Sequence, residues 1–245
     1  MLRNPYVLTG TVLIFIGASF IPVFYLLLRS TPLTALGVSV VILGIVCLGL
    51  GRTRPETSPE VSAVLLQAGV ENISALLEEL GLASKAVYVP SSMTYGKPRA
   101  LVPLISNSSM PHIRGKLPNR LIVTYGPDPE DIGLMITTPG SPTVAMLESK
   151  PGPSAKELES ALSHVLIGML DLANSMRVAM RDNKVTVEVS NPRMEYPNML
   201  VYQCMGTPLA SMIASIAAEA LGKPVAVDSE QYQKSKSVIE LEVLR

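Results

Sequence analysis

Two long uncharged stretches lie at the start of the chain. Residues 6–28 and residues 32–51 contain no charged side chain, and only Arg29-Ser30-Thr31 separates them. A helix needs about 20 apolar residues to cross a hydrocarbon core of about 30 Å. One such stretch alone would resemble a signal peptide, but a second stretch that follows at once is typical of a membrane-spanning pair. The pattern therefore predicts a transmembrane helical hairpin over residues 1–52.

Glycines recur every seventh residue in the second stretch, at Gly37, Gly44 and Gly51. Small residues on one helix face allow two helices to approach closely in lipid. Glycine is also simply frequent in membrane helices, and this second interpretation has equal weight.

Basic residues near the ends of the two stretches predict the orientation of the hairpin. Arg3 precedes the first stretch, Arg52 and Arg54 follow the second, and the link contains only Arg29. The positive-inside bias then places both termini on the cytoplasmic side. We expect a multi-pass protein of the cell membrane, with its C-terminal domain in the cytoplasm.

Shorter patterns follow a predicted linker over residues 53–59, which contains two prolines. Helical spacing and capping residues predict helices over 58–80, 154–176 and 207–222. Alternating or β-branched runs predict strands over 86–90, 100–105, 120–125, 132–137, 184–190, 198–204, 225–228 and 238–244. Hairpin-like strands mixed with long helices predict that residues 60–245 form one α+β domain.

Composition supports the membrane assignment and excludes several other classes. The chain has 245 residues, of which 48% are hydrophobic and 16% charged, against about 25% charged in ordinary soluble domains. Two cysteines cannot form a disulfide framework, and the apolar content excludes a disordered chain. From residue 55 onward, sixteen basic residues face twenty acidic ones. This net charge near −4 argues against a general nucleic-acid binder.

The charges of the second part are unevenly distributed. Six basic and no acidic residues lie between residues 80 and 127. A basic surface next to an anionic leaflet gains about 1 kcal/mol per residue. An acidic patch of a protein partner or an anionic ligand fits the pattern equally well. The favoured interpretation is a solvated loop region whose basic residues point in several directions. The candidate ligand-binding or headgroup-binding residues are Lys97, Arg99, Arg114, Lys116 and Arg120.

Catalytic and metal-binding patterns are weak by comparison. His112 and His164 have no further ligand residues at convincing spacing, so we expect no metal. The chain also lacks a P-loop lysine and a Rossmann glycine motif, so we expect no cofactor.

Cys204 is the strongest single candidate for chemistry. It ends a predicted strand, and Gly206 and Thr207 follow at the start of a predicted helix. Free N–H groups at that helix end favour a thiolate or a bound anion. Phosphatase-like chemistry would need a further arginine, and none occurs between residues 194 and 244. A buried structural cysteine is the favoured interpretation, with Cys204, Gly206 and Thr207 retained as a candidate anion or thiol site.

The run over residues 204–228 resembles the helix-then-strand tail of 4-vinyl-reductase-type domains. These are small-molecule-binding modules related to heme–NO-binding-associated and TRAPP-type folds. Asp228 takes the acidic position of that family, and residues 239–243 take its last strand. Gln231 and Ile239 stand where the family has cysteines, so the resemblance implies no thiol or metal function. The whole layout also resembles uncharacterised archaeal two-span membrane proteins.

These observations predict a membrane-anchored, non-enzymatic protein. Its cytoplasmic domain would bind a partner protein or a small apolar or anionic ligand, as an accessory subunit or as a homo-oligomer. One alternative is a membrane-proximal enzyme that acts on a lipid through Cys204 or a carboxylate. A second alternative, a membrane-tethered nucleic-acid-binding domain, is disfavoured by the net charge and by the few aromatic residues. The expected partners are the lipid bilayer and its anionic headgroups.

Overall fold

The computed structural model describes residues 5–53, 59–105, 111–113, 115–194, 196, 199–233 and 235–244. The chain divides into two compact units, Met1–Gln67 and Ala68–Arg245. The predicted linker over residues 53–59 lies almost entirely outside the described residues.

The first unit contains an apolar helical hairpin. Helix α1 (Pro5–Pro22) continues as one π-helical turn (Val23–Leu27), and helix α2 (Thr31–Thr53) returns antiparallel to it. Both helices are long and apolar enough to cross a membrane, and only 11% of either span is buried. A soluble protein does not expose apolar surface on this scale. The hairpin therefore indicates a membrane protein, as the sequence predicts.

Glycines allow the two helices of the hairpin to touch. A Cβ added at Gly44 would lie 2.8 Å from the backbone oxygen of Gly10 and 2.7 Å from Cγ1 of Ile14. A Cβ at Gly51 would lie 2.7 Å from Cγ2 of Val7, and one at Gly37 would lie 3.0 Å from Cγ1 of Ile21. Of the two interpretations of these glycines, the structure supports a contact face between the helices.

The second unit is an α+β domain, called here the sheet domain. Its strands are β1 (Val87–Val89), β2 (Arg99–Pro103), β3 (Ile122–Thr124), β4 (Ile132–Ile136), β5 (Ser175–Arg181), β6 (Lys184–Ser190), β7 (Val225–Gln233) and β8 (Lys236–Val243). They form one sheet in the order β3-β4-β2-β1-β7-β8-β6-β5, and every neighbouring pair is antiparallel. The predicted α+β class is confirmed.

Helices cover one face of this sheet. They are the C-terminal part of α3 (Pro59–Glu79), from Ala68 onward, α4 (Gly140–Ala145), α5 (Ala155–Leu162), which continues as a π-helix (Ser163–Met169), α6 (Leu200–Met205) and α7 (Pro208–Leu221). Ile213 and Ile216 of α7 belong to the main core together with Leu158 and Leu162 of α5. A smaller core on the opposite face joins Leu117 to strands of the β1–β2–β4 half.

Burial explains why the strands differ in sequence pattern. Strands β1, β2 and β4 are buried on both faces, so their sequences are almost uninterrupted apolar runs. Strands β6 and β8 bury every second residue, and their sequences alternate accordingly.

Two sequence predictions for this domain are wrong. The predicted strand over residues 198–204 is largely helix α6, whose buried residues Val201, Cys204 and Met205 have helical spacing. The predicted helix over residues 154–176 becomes a π-helix at Ser163 and ends before Asp171, which has a positive φ of 52°. The chain then enters β5, and this strand and α4 were not predicted.

Gly44→Ala should destabilise the hairpin, because a methyl group there meets backbone atoms of α1 that cannot move aside. Overpacking of this kind costs about 1–3 kcal/mol. Gly49→Ala is the matched control, since a Cβ at Gly49 meets no atom within 4 Å. Thermal unfolding of the full chain in detergent, monitored by circular dichroism, compares the stability of the two variants. Equal stability of both variants would contradict the close contact.

Candidate functional site

A cleft of about 280 Å³ opens in the sheet domain beside strands β2 and β4. We call it the basic cleft. Its lining residues are Thr94, Tyr95, Gly96, Lys97, Arg99, Leu117, Pro118, Asn119 and Met135. The described part of this lining contains two cationic side chains and no carboxylate, so its electrostatic potential favours an anion.

Helix α7 fixes the start of the loop that forms this cleft. Glu219 is 7% exposed, and its Oε2 accepts a hydrogen bond from the backbone N–H of Ser91 at 2.8 Å. Its Oε1 accepts a second bond from the Ser91 hydroxyl at 2.5 Å. Ser91 begins a short 3-10 helix (Ser91–Met93) that leads directly into the cleft wall. The carboxylate thus anchors the loop to the core of the domain.

Further hydrogen bonds fix the remainder of the loop. The Thr94 hydroxyl donates to the backbone oxygen of Lys97 at 2.6 Å, across a turn in which Gly96 has a φ of +93°. The Ser141 hydroxyl, on α4, donates to the backbone oxygen of Pro98 at 2.5 Å. Lys97 and Arg99 therefore extend from a backbone that is held on both sides.

The structure brings together part of the predicted basic set. Lys97 and Arg99 line the cleft, while Lys116 and Arg120 are exposed and flank its lining residues along the chain. None of these four forms an ion pair with a carboxylate in the described part of the protein. Arg114 lies outside the described residues.

Lys85, the sixth basic residue between residues 80 and 127, has a different environment. Its Nζ lies 3.9 Å from Oδ1 of Asp228, whose other oxygen accepts a hydrogen bond from Lys184 at 2.9 Å. That bond from Lys184 lowers the pKa of Asp228. Lys85 is therefore partly neutralised, unlike the cations at the cleft.

Exposed apolar side chains border the basic cleft. Tyr95, which is part of its lining, is 68% exposed. Leu121, which follows Arg120 directly, is 56% exposed. The backbone oxygen of Leu121 accepts a hydrogen bond from Met135, a lining residue. Cationic and apolar groups thus share one surface.

Comparison with family models gives one match. The model for a domain of unknown function, DUF7982, matches residues 2–242. The chain belongs to the DUF7982 family. The match includes the hairpin and the sheet domain together. No curated protein and no solved structure matches the chain, so the resemblance to 4-vinyl-reductase-type domains stays a prediction.

The second predicted site of this DUF7982 chain surrounds Cys204. The residue lies in α6 and is 3% exposed, and its thiol donates a hydrogen bond to the backbone oxygen of Leu82 at 3.4 Å. Burial raises the pKa of the Cys204 thiol. These features are typical of a structural cysteine rather than an activated thiolate.

The start of α7 already contacts a carboxylate of the protein. The N–H and hydroxyl of Thr207 donate to the two oxygens of Glu230 at 3.2 and 2.7 Å. The Thr207 hydroxyl also accepts a bond from the N–H of Ala210 at 3.2 Å. Gly206 precedes this cap with a φ of +74°. Glu230 thus occupies the place that an external anion would take.

Among the described residues, no group of three or more His, Cys, Asp or Glu side chains is placed to hold a metal ion. His112 and His164 are both exposed and lie in separate parts of the domain.

Glu219→Ala should destabilise the sheet domain, because it leaves the N–H and hydroxyl of Ser91 without their acceptor. An unsatisfied buried donor costs about 1–3 kcal/mol. Glu130→Ala, which removes an exposed carboxylate, is the control and should change stability little. Chemical denaturation measures the free energy of unfolding of both variants. Hydrogen exchange over residues 91–97 should accelerate only in Glu219→Ala. Unchanged exchange in that loop would contradict the anchoring role.

Cys204 should react slowly with iodoacetamide at neutral pH, because burial keeps it in the thiol form and out of contact with the reagent. Mass spectrometry of the native chain, compared with the chain in denaturant, measures the rate at this residue. Rapid alkylation before unfolding would instead indicate an accessible thiolate and would favour an enzyme.

Proposed function

We propose that this protein is anchored in a bilayer by its hairpin and binds a phosphate-bearing anion in the basic cleft of its sheet domain. One observation carries the proposal. Lys97 and Arg99 line a concave site whose described walls contain no carboxylate, and neither cation has an ion-pair partner among the described residues.

The chemistry of these two side chains suits a phosphate group. Arginine donates paired hydrogen bonds to phosphate oxygens, and lysine supplies a compact positive charge. The cleft, at about 280 Å³, is near the lower end of the range for ligand sites. It is suited to a headgroup or a small phosphate compound rather than a large cofactor.

The apolar border favours a lipid headgroup over a free anion. Tyr95 and Leu121 would remain in water around a soluble ligand, whereas a bilayer interface accepts both aromatic and aliphatic side chains. The sheet domain is joined covalently to the hairpin, so a bilayer that holds the hairpin also tethers the domain. The cytoplasmic leaflet is anionic, and the predicted positive-inside orientation would place the domain there.

Binding is supported better than catalysis. Cys204, the nucleophile of the enzyme alternative, donates a hydrogen bond to the backbone oxygen of Leu82 from within the core. Binding of a protein partner or of a second copy of the chain at the exposed border of the cleft stays a hypothesis. Binding of a nucleic acid also stays a hypothesis.

Pyrophosphate should bind to the full chain in an uncharged detergent, with an affinity that falls as salt rises. Lys97→Gln combined with Arg99→Gln should weaken binding at least tenfold, because a hydrogen bond to a charged group contributes about 1.5–3 kcal/mol. Lys236→Gln is the matched control, since Lys236 already pairs with Glu188 at 2.9 Å. Isothermal titration calorimetry measures the affinity for pyrophosphate of the unaltered chain, the double variant and the control variant. Equal losses in the double variant and the control would contradict the cleft assignment.

A second measurement separates the two sources of phosphate. An environment-sensitive dye on Asn119→Cys, in a Cys47→Ser background, reports contact between the cleft and a bilayer in nanodiscs. Emission should shift to the blue with phosphatidylserine but not with phosphatidylcholine alone. Pyrophosphate binding without this shift would assign the cleft to a soluble anion.

A further inference from the structure

The link between the two apolar helices forms a second cleft, of about 580 Å³. We call it the tip cleft, and it belongs entirely to the hairpin. Its lining residues are Tyr25, Leu26, Arg29, Ser30, Thr31, Thr34, Ala35 and Val38.

The polarity of the tip cleft changes along α2. One face of α2 contributes four of the lining residues, which are Thr31, Thr34, Ala35 and Val38. The first two contribute hydroxyl groups beside the link, and the last two contribute apolar groups one to two turns deeper, up to about 10 Å away along the helix. Leu26 adds apolar surface from the other side of the cleft. The site is therefore polar at its mouth and apolar below it.

Arg29 provides the charge at this mouth. It is the single charged residue between positions 4 and 51, and no acidic residue precedes residue 56. The hairpin helices therefore contain no carboxylate that could neutralise it. Arg29 also adopts a left-handed backbone conformation, with a φ of +48°, at the turn that closes the hairpin.

In a bilayer this end of the hairpin would lie at the level of the lipid phosphates. Helix α2 has 23 residues, or about 34 Å at 1.5 Å per residue, against a hydrocarbon core of about 30 Å. Tyr25, which is 67% exposed, is of the residue type enriched at this level.

We propose that the tip cleft binds one phospholipid molecule. The guanidinium of Arg29 and the hydroxyls of Ser30 and Thr31 would hold the phosphate, and an acyl chain would lie along Leu26, Ala35 and Val38. A free phosphate would leave the apolar part of the cleft empty. A neutral lipid would leave Arg29 without an anion. The charge and the polarity gradient together specify an amphipathic anion.

Native mass spectrometry of the full chain tests this proposal. Lys97→Gln and Arg99→Gln are introduced first, so that the basic cleft of the sheet domain does not contribute and the two proposals are tested separately. Phosphatidylglycerol added to this protein in detergent should remain bound as one molecule. Diacylglycerol of the same chain length, and inorganic phosphate alone, should not remain bound.

Arg29→Asn should reduce the affinity for phosphatidylglycerol at least tenfold, because asparagine tolerates the left-handed backbone but carries no charge. Arg52→Asn, which removes an exposed arginine at the other end of α2, is the matched control and should bind normally. Equal losses in both variants, or retention of diacylglycerol as strong as that of phosphatidylglycerol, would overturn the proposal.

A further variant keeps the test decisive if Arg29→Asn does not fold. Ala35→Phe fills the apolar part of the tip cleft and leaves every charge in place. It should also reduce phospholipid retention, and unchanged retention in a folded Ala35→Phe protein would overturn the assigned acyl-chain position.

Discussion

The burial of α7 is the constraint on which the sheet domain depends. Every residue from Leu209 to Ala220 is buried, and most of these side chains are alanine or serine. Their small size lets α4 approach so closely that a Cβ on Gly140 would lie 1.9 Å from the Ser215 hydroxyl. The same helix contributes Glu219, whose carboxylate anchors Ser91 and thereby the wall of the basic cleft. The position of the cationic side chains thus depends on the packing of the core.

Apolar length alone does not distinguish the two kinds of helix in this protein. The segment Leu200–Leu221, which includes α6 and α7, is apolar enough to be considered a membrane span, yet 78% of it is buried within the protein. The two spans of the hairpin are only 11% buried. The hydrophobic effect requires both to be covered. The sheet domain buries Leu200–Leu221 in its own core. The apolar surface of the hairpin is suited to burial in lipid.

Local signals explain what the sequence could predict. The capping box at Ser154 and Glu157 marks the start of α5, and the alternation of β6 and β8 reflects their one buried face. Strand β5 also alternates, but its apolar residues continue the helical spacing of the preceding segment, and the two patterns conflict. Contacts between distant residues left no such signal. Glu219 and Ser91 are 128 residues apart, and charge counting could not separate Lys85, which pairs with Asp228, from Lys97.

Hydrogen–deuterium exchange of the full chain, with and without pyrophosphate, locates the bound anion directly and without any substitution. An anion in the basic cleft should slow exchange over residues 94–99 and 117–120, which line or adjoin the cleft, and should leave exchange over residues 204–208 unchanged. Protection over residues 204–208 instead would assign the anion to the start of α7. The absence of protection anywhere in the sheet domain would contradict an anion-binding role for it.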